Sequence, residues 1–161
     1  MSCLEEYCVI YPKGFKSAGI HIGIKKKKKD FAIIYSEKDC VVSGAFTNNI
    51  VKAAPVVYSK KIVKKGLARA VVINSGNANA CTGDQGLLDV KKIVDHISKL
   101  LNIDSDKILA SSTGVIGVNL PMNIIINNIK NCVDKINNNI KNGNDVAEAI
   151  LTTDTFKKQF I

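Results

Sequence analysis

Ile108-Leu109-Ala110-Ser111-Ser112-Thr113-Gly114-Val115-Ile116-Gly117 decides the fold. Its first half, with Lys107, is an apolar run of strand type over Lys107 to Ala110; its second half holds two glycines and three hydroxyls without a charge, ahead of a helix that opens at Pro121. A strand that hands the chain to a small-residue turn and then a helix is the joint of a layered α/β (α+β) domain. Three chemistries fit the turn. Backbone N–H groups and a hydroxyl can hold an oxygen that becomes negative during acyl transfer, because fixed neutral donors stabilise developing charge without reorganising. A phosphate site would normally add a Lys or Arg, and none stands between Lys107 and Lys130. A tight turn whose hydroxyls cap the next helix needs no ligand.

Upstream, Ala68 to Ile73 is a nearly unbroken apolar run, which predicts a strand covered on both faces. It leads into Asn74-Ser75-Gly76-Asn77-Ala78-Asn79-Ala80-Cys81-Thr82-Gly83. Side chains this small either let a substrate or partner approach the backbone, or fold into a compact loop held by asparagine amides. Cys81 has no histidine base near it in sequence, so a nucleophilic role is set aside. Residues 84 to 101 place Leu87, Val90, Val94, Ile97 and Leu101 at helical spacing, with Ile93 and Leu100 widening the stripe and His96 at its boundary.

Downstream, Pro121 suits the first turn of a helix whose buried face is Met122, Ile125, Ile126, Ile129, Val133, Ile136 and Ile140. Asn137 to Asn144 reads as a stop, and Val146 to Leu151 as a fresh apolar segment before Thr152-Thr153-Asp154-Thr155. At the other end, Val9 to Ile24 is strand and turn, and Lys25 to Asp30 a solvated, charged, hairpin-like loop. Phe31 to Tyr35 and Cys40 to Phe46 read as strands joined by the turn Ser36 to Asp39. Pro55 to Tyr58 reads as extended, and Lys60 to Lys65 as a short basic helix ended by Gly66.

Length and composition narrow the classes. With 161 residues, the chain has the size of one ordinary domain, and no apolar run approaches the roughly 20 residues of a membrane span. Acids follow Met1 where a signal peptide would carry bases, so a cytoplasmic protein is expected. The net charge of +9 raises nucleic acid as a partner, but Arg69 is the sole arginine and aromatics make up only 6%. Lysines without interleaved aromatics read bases poorly, so neither nucleic acid nor membrane is expected to bind. Cys3, Cys8, Cys40, Cys81 and Cys132 form no CxxC, and the histidines are only His21 and His96. Free buried thiols are expected, with no metal.

Several segments, in order, resemble the arginine-biosynthetic ornithine acetyltransferase family, the bifunctional glutamate N-acetyltransferases. They are Gly14 to Gly19, Gly44-Ala45-Phe46-Thr47-Asn48-Asn49, Ala53 to Val56, Ala68 through Gly83, Ser112 to Gly117, Leu120-Pro121-Met122, and Ala149 to Thr155. The resemblance implies a DmpA-like N-terminal-nucleophile fold, incomplete in this chain, made from a precursor that cuts itself before a threonine into α and β chains. The β-chain threonine takes acetyl from N-acetylornithine as an ester and passes it to glutamate; some members also accept acetyl-CoA. Its free α-amine can serve as the base, so no histidine is required.

Carried over by motif, Thr113 and Gly114 are the oxyanion-hole pair, through a hydroxyl and a backbone N–H. Thr153, with Thr152 as the other candidate, contacts substrate. No cofactor is implied, and the β chain of an α2β2 assembly is the expected partner. The family's pattern continues past Thr-Thr-Asp-Thr through a strand pair, a Lys-Gly turn and the cleavage site. Residues 1–161 are therefore expected to be most of an α-chain domain without its nucleophile, inactive alone. The alternative is a truncated, inactive α-like fragment that serves as a binding or assembly module.

Overall fold

A computed structural model describes residues 8–158. The β1 strand (Phe15–Ile20) and β2 (Phe31–Val41) pair antiparallel through the loop at Lys25 to Asp30, as the sequence predicts. After helix α1 (Ala54–Val63), strand β3 (Leu67–Asn77) pairs antiparallel with β2. Helix α2 (Gly83–Leu101) then carries the chain over to β4 (Ile108–Val115), parallel to β3, as a parallel pair requires a crossover. Helices α3 (Met122–Asp134) and α4 (Ile140–Ala149) complete a four-stranded mixed sheet in the order β1-β2-β3-β4. The fold is the expected α/β layering.

Strand alternation divides the apolar residues between two layers. Ala18, Ile20, Phe31, Ile33, Ala70, Val72 and Ile108 face Val90, Val94 and Ile97 of α2 and Ile125 and Ile129 of α3. On the other face Ala32, Ile34 and Ile73 meet Val146 and Ala149 of α4. Burying a Val or Ile side chain contributes about 1.5–3 kcal/mol, so these two layers supply the principal driving force for the fold. Here α4 sits so close that a Cβ on Gly19 would lie 2.2 Å from the Asp145 carbonyl oxygen, which leaves room only for glycine.

Tertiary contacts redraw five predicted elements. Ser36 to Asp39 does not reverse the chain but lies inside β2 as a bulge, the register slipping between Tyr35 and Cys40 while Arg69 donates to the Ser36 and Glu37 carbonyls. The extended reading of Pro55 to Tyr58 fails because Pro55 sits in the first turn of α1, where its missing N–H costs nothing. The Ser59 hydroxyl docks that helix on β4, donating to the Ala110 carbonyl at 2.7 Å and accepting its N–H at 2.9 Å. The α3 helix stops at Asp134, and what looked like a stop becomes α4, capped by Asn139 accepting from the Asn142 N–H. Ile140 therefore leaves the predicted α3 stripe and is exposed, as is Leu87 at the start of α2. Finally, β4 continues through Ser111 to Val115, and the turn proper is Ile116 to Val118.

Candidate active site at the ends of β3 and β4

At their C-terminal ends β3 and β4 pair Asn74 with Ser112, Ser75 with Thr113, and Gly76 with Gly114. The φ values of Gly76 and Gly114 are +104° and +136°, a region that side chains disfavour. A Cβ on Gly114 would lie 2.3 Å from the Gly76 carbonyl carbon and 2.5 Å from the Asn77 nitrogen. The two strands therefore meet more closely than any side chain permits.

Side chains of β4 alternate across the sheet. Ile108 and Ala110 pack into the layer of α2 and α3, and Ser112 on that face donates to Asn74 Oδ1 at 2.6 Å. Thr113 lies on the opposite face, the one that α4 covers over β1 and β2. It is half-buried rather than sealed in the core, and its hydroxyl has no hydrogen-bond partner among the described residues. Main-chain direction alternates as well. Ala110 turns its N–H and carbonyl away from β3 toward Ser59, and two further periods of two place the Gly114 N–H on that same outer edge. The peptide plane carrying this N–H is set by Thr113, before the glycine's positive φ bends the chain.

The asparagine run divides: Asn74 to Asn77 extend β3 beyond the predicted Ile73, and only the residues after Asn77 form a compact loop. Asn74 Nδ2 donates to the Asn77 carbonyl, and Asn77 Nδ2 to the Val118 and Asn119 carbonyls. Asn79, fully buried at φ +47°, donates from Nδ2 to the Gly86 carbonyl at 3.0 Å and accepts the Thr82 hydroxyl at 2.8 Å. These amides brace the strand ends. Gly117 N–H donating to the Ala80 carbonyl closes the two turns on each other.

The segment carrying Thr152 and Thr153 follows α4, and both residues are exposed. Its root is tied to the site from two directions. Ser75, the partner of Thr113 on the same face, donates its hydroxyl to the Ala149 carbonyl, and Lys25 Nζ donates to the Leu151 carbonyl at 2.9 Å. Thr152 lies three residues beyond Ala149, within about 11 Å even if fully extended. Sequence reasoning missed Ser75 and Lys25, and it took the lysine run as wholly solvated. Only Lys26 to Lys28 are exposed; Lys29 bridges Asp145 at 2.6 Å and Glu148 at 2.9 Å. The available signal was Asp30, an acid closing a run of five lysines. Its fully buried carboxylate accepts the N–H groups of Ile22, Gly23 and Lys25.

Other nucleophile candidates separate by environment. Cys132 is buried, and that burial pushes its thiol up to about 12, which keeps it protonated and inert. Cys81 is exposed and Cys8 and Cys40 half-buried, against the expectation of buried thiols, while Cys3 lies outside the described residues. Among the described residues no three His, Cys, Asp or Glu side chains gather as a metal ion would need, and no helix is long and apolar enough to cross a membrane. An open polar cleft of about 470 Å³ between β1, α3 and α4 lies away from Thr113. Its Lys29 is already paired with Asp145.

The family model that matches residues 16–161 is that of the ArgJ family. Among curated proteins, the chain is 49% identical over 147 residues to the arginine biosynthesis bifunctional protein ArgJ of Caldanaerobacter subterraneus subsp. tengcongensis, covering 91% of this chain and 36% of that protein. It is 47% identical to the protein of that name from Thermotoga neapolitana, covering 89% and 36%. The chain thus spans about a third of the length of the curated relatives it matches. Among solved structures, arginine biosynthesis bifunctional protein ArgJ from Bacillus halodurans matches with a TM-score of 0.90 at 38% identity, over 95% of this chain and 80% of that one. Ornithine acetyltransferase from Mycobacterium tuberculosis, solved in complex with ornithine, matches with a TM-score of 0.90 at 35% identity, over 92% and 81%.

Proposed function

The chain belongs to the ArgJ family, and on that premise we propose that it is the oxyanion-holding α part of an acetyltransferase of arginine biosynthesis. The enzyme moves acetyl from N-acetylornithine to glutamate through an acetyl-threonine ester. The observation that carries the reading is the Thr113 hydroxyl, half-buried and without a hydrogen-bond partner among the described residues, next to a glycine whose N–H strand alternation from Ala110 puts on the sheet's outer edge.

The nucleophile in this reading is the N-terminal threonine of a β chain. Its hydroxyl oxygen attacks the amide carbon of N-acetylornithine while its α-amine takes the proton. The carbonyl oxygen becomes an oxyanion, which accepts hydrogen bonds from Thr113 Oγ1 and the Gly114 N–H. Collapse of the adduct breaks the C–N bond, the α-amine returns a proton, and ornithine leaves as a free amine. The acetyl ester remains on the threonine. The glutamate amine attacks that ester, the same two donors hold the second oxyanion, and N-acetylglutamate departs as the threonine hydroxyl is restored. Thr153, with Thr152 beside it, contacts the amino-acid part of the substrate from the segment rooted on Ser75 and Lys25. The chain alone is inactive, since the attacking group belongs to the β chain.

Thr113→Ala in the complete α/β enzyme is expected to lower kcat about a hundredfold, the equivalent of ~3 kcal/mol, with little change in KM or melting temperature. An unchanged kcat overturns the reading. The second reading, an inactive binding or assembly module, draws on Val115, Ile116 and Val118, all more than half exposed beside the site. Mixing the chain with a separately made β chain separates the two. Acetyl transfer that appears only in the mixture supports the first; a complex without transfer supports the second.

A further inference from the structure

We propose that Lys25 is a positioning residue for acetyl transfer: its side chain spans from the Gly76–Gly114 strand ends to Leu151 and sets where the Thr152 and Thr153 hydroxyls stand relative to Thr113. The inference rests on the oxyanion reading above and extends it to a residue from the opposite end of the chain.

Both ends of the Lys25 side chain are held. Its backbone N–H donates to Asp30 Oδ2 at 2.8 Å, and the Asp30 carbonyl accepts the Ser75 N–H at 2.8 Å, so the root of the side chain is tied to β3 one residue before Gly76. The aliphatic stem then lies against the strand end, where a Cβ added to Gly76 would stand 2.9 Å from Lys25 Cγ. The ammonium reaches the Leu151 carbonyl at 2.9 Å. Its pKa lies below the ordinary lysine value chiefly because burial disfavours the charge, against the pull of Asp30, as suits a side chain laid across packed backbone.

Leu151 immediately precedes Thr152. Ser75 fixes the last turn of α4 at Ala149, but beyond Leu151 no hydrogen bond ties Thr152 or Thr153 to the sheet among the described residues. Lys25 is therefore the final anchor before the two hydroxyls. Because its stem packs on Gly76, the partner of Gly114, it references the substrate-contacting segment to the oxyanion donors themselves. Lys27, exposed in the same loop, makes no such contact.

The test is steady-state acetyl transfer by the complete α/β enzyme, with N-acetylornithine as donor. Lys25→Met is expected to raise the KM for N-acetylornithine about fivefold to tenfold, roughly the net loss of one hydrogen bond, with kcat within about twofold. Lys25→Arg should restore most of the loss, and Lys27→Met should change neither constant. The deciding comparison is the background in which Thr152 and Thr153 are both alanine. There Lys25→Met is expected to change KM by less than about twofold, because the groups it places are gone. An unchanged KM in Lys25→Met, or an equal factor in both backgrounds, overturns the proposal. If Lys25→Met also lowers the melting temperature, the comparison still decides, since that loss is common to both backgrounds. Thr113→Ala, measured alongside, separates the two levels. A normal kcat there removes the oxyanion reading itself, whereas a collapsed kcat with a flat KM in Lys25→Met removes only the role of Lys25.

Discussion

The asparagine-rich end of β3, with the loop after it, and the threonine-glycine end of β4 are built from the same small polar residues and lie side by side, yet their polar groups are in opposite states. On the first, the side-chain amides of Asn74, Asn77 and Asn79 are all engaged within the protein. On the neighbouring strand the Thr113 hydroxyl has no partner among the described residues. A polar group already bonded contributes to architecture, while one left free and half-buried is available to a ligand. Substitutions in the two regions should therefore separate loss of rate from loss of fold.

The largest effect is expected where both losses coincide. Gly114→Ala places a methyl within 2.5 Å of the Gly76 and Asn77 backbone at a φ of +136°. It should abolish measurable acetyl transfer in the α/β enzyme and destabilise the chain by at least ~3 kcal/mol, as strain and overlap combine. Circular dichroism melts next to activity would expose a tolerated alanine and with it an error in the described pairing. Thr113→Ala comes next, losing rate by about a hundredfold without losing the fold. Asn79→Ala should invert that pattern. It removes the bonds to the Gly86 carbonyl and the Thr82 hydroxyl and empties a fully buried site, so denaturant titration should show about 2–3 kcal/mol lost, with kcat per folded molecule within about threefold of wild type. If Asn79→Ala instead cut kcat as Thr113→Ala does, the loop would belong to the chemistry.

The smallest expected effect concerns α4, which leads into the segment proposed to contact substrate. The Lys29 ammonium bonded to Glu148 holds that carboxyl below its ordinary value of 4.5, with partial burial opposing it. A carboxyl depressed in the folded state adds stability above its unfolded pKa and loses it as pH falls through the folded one. Wild type should accordingly be more stable than Glu148→Gln at pH 7 by less than ~1 kcal/mol, since the pair is partly exposed and screened by solvent. The gap should narrow once the pH drops below 4.5, as thermal melts across that range would record. A gap independent of pH would mean that Lys29 reaches α4 through Asp145 alone.

Local signals carried much of the fold into view. The apolar period of 3.6 in α2 and the bare hydrophobic run of β3 are properties of short windows, and both elements lie where the sequence predicts. The misread elements share a cause. Pro55 to Tyr58 looks extended because its β-branched residues say so locally, but Ser59 bonding Ala110 across 51 positions makes it helix. Ser36 to Asp39 looks like a turn, yet Arg69, more than thirty positions away, holds it in β2.

At the site, residue type pointed to the predicted turn that holds Thr113 and Gly114, because hydroxyls and glycines are what oxyanion chemistry uses, whereas Thr152 and Thr153 were singled out by resemblance alone. Neither could reveal that Gly114 faces Gly76, that Ser75 reaches Ala149, or that Lys25 rather than Lys27 reaches Leu151. The sequence alone determined which residue types are present and how each short window prefers to fold, since those preferences depend on neighbours a few positions away. Which hydroxyl stays free, and which lysine touches the site, only the tertiary structure decided. Both depend on groups 74 and 126 positions apart in the chain meeting at one end of the sheet.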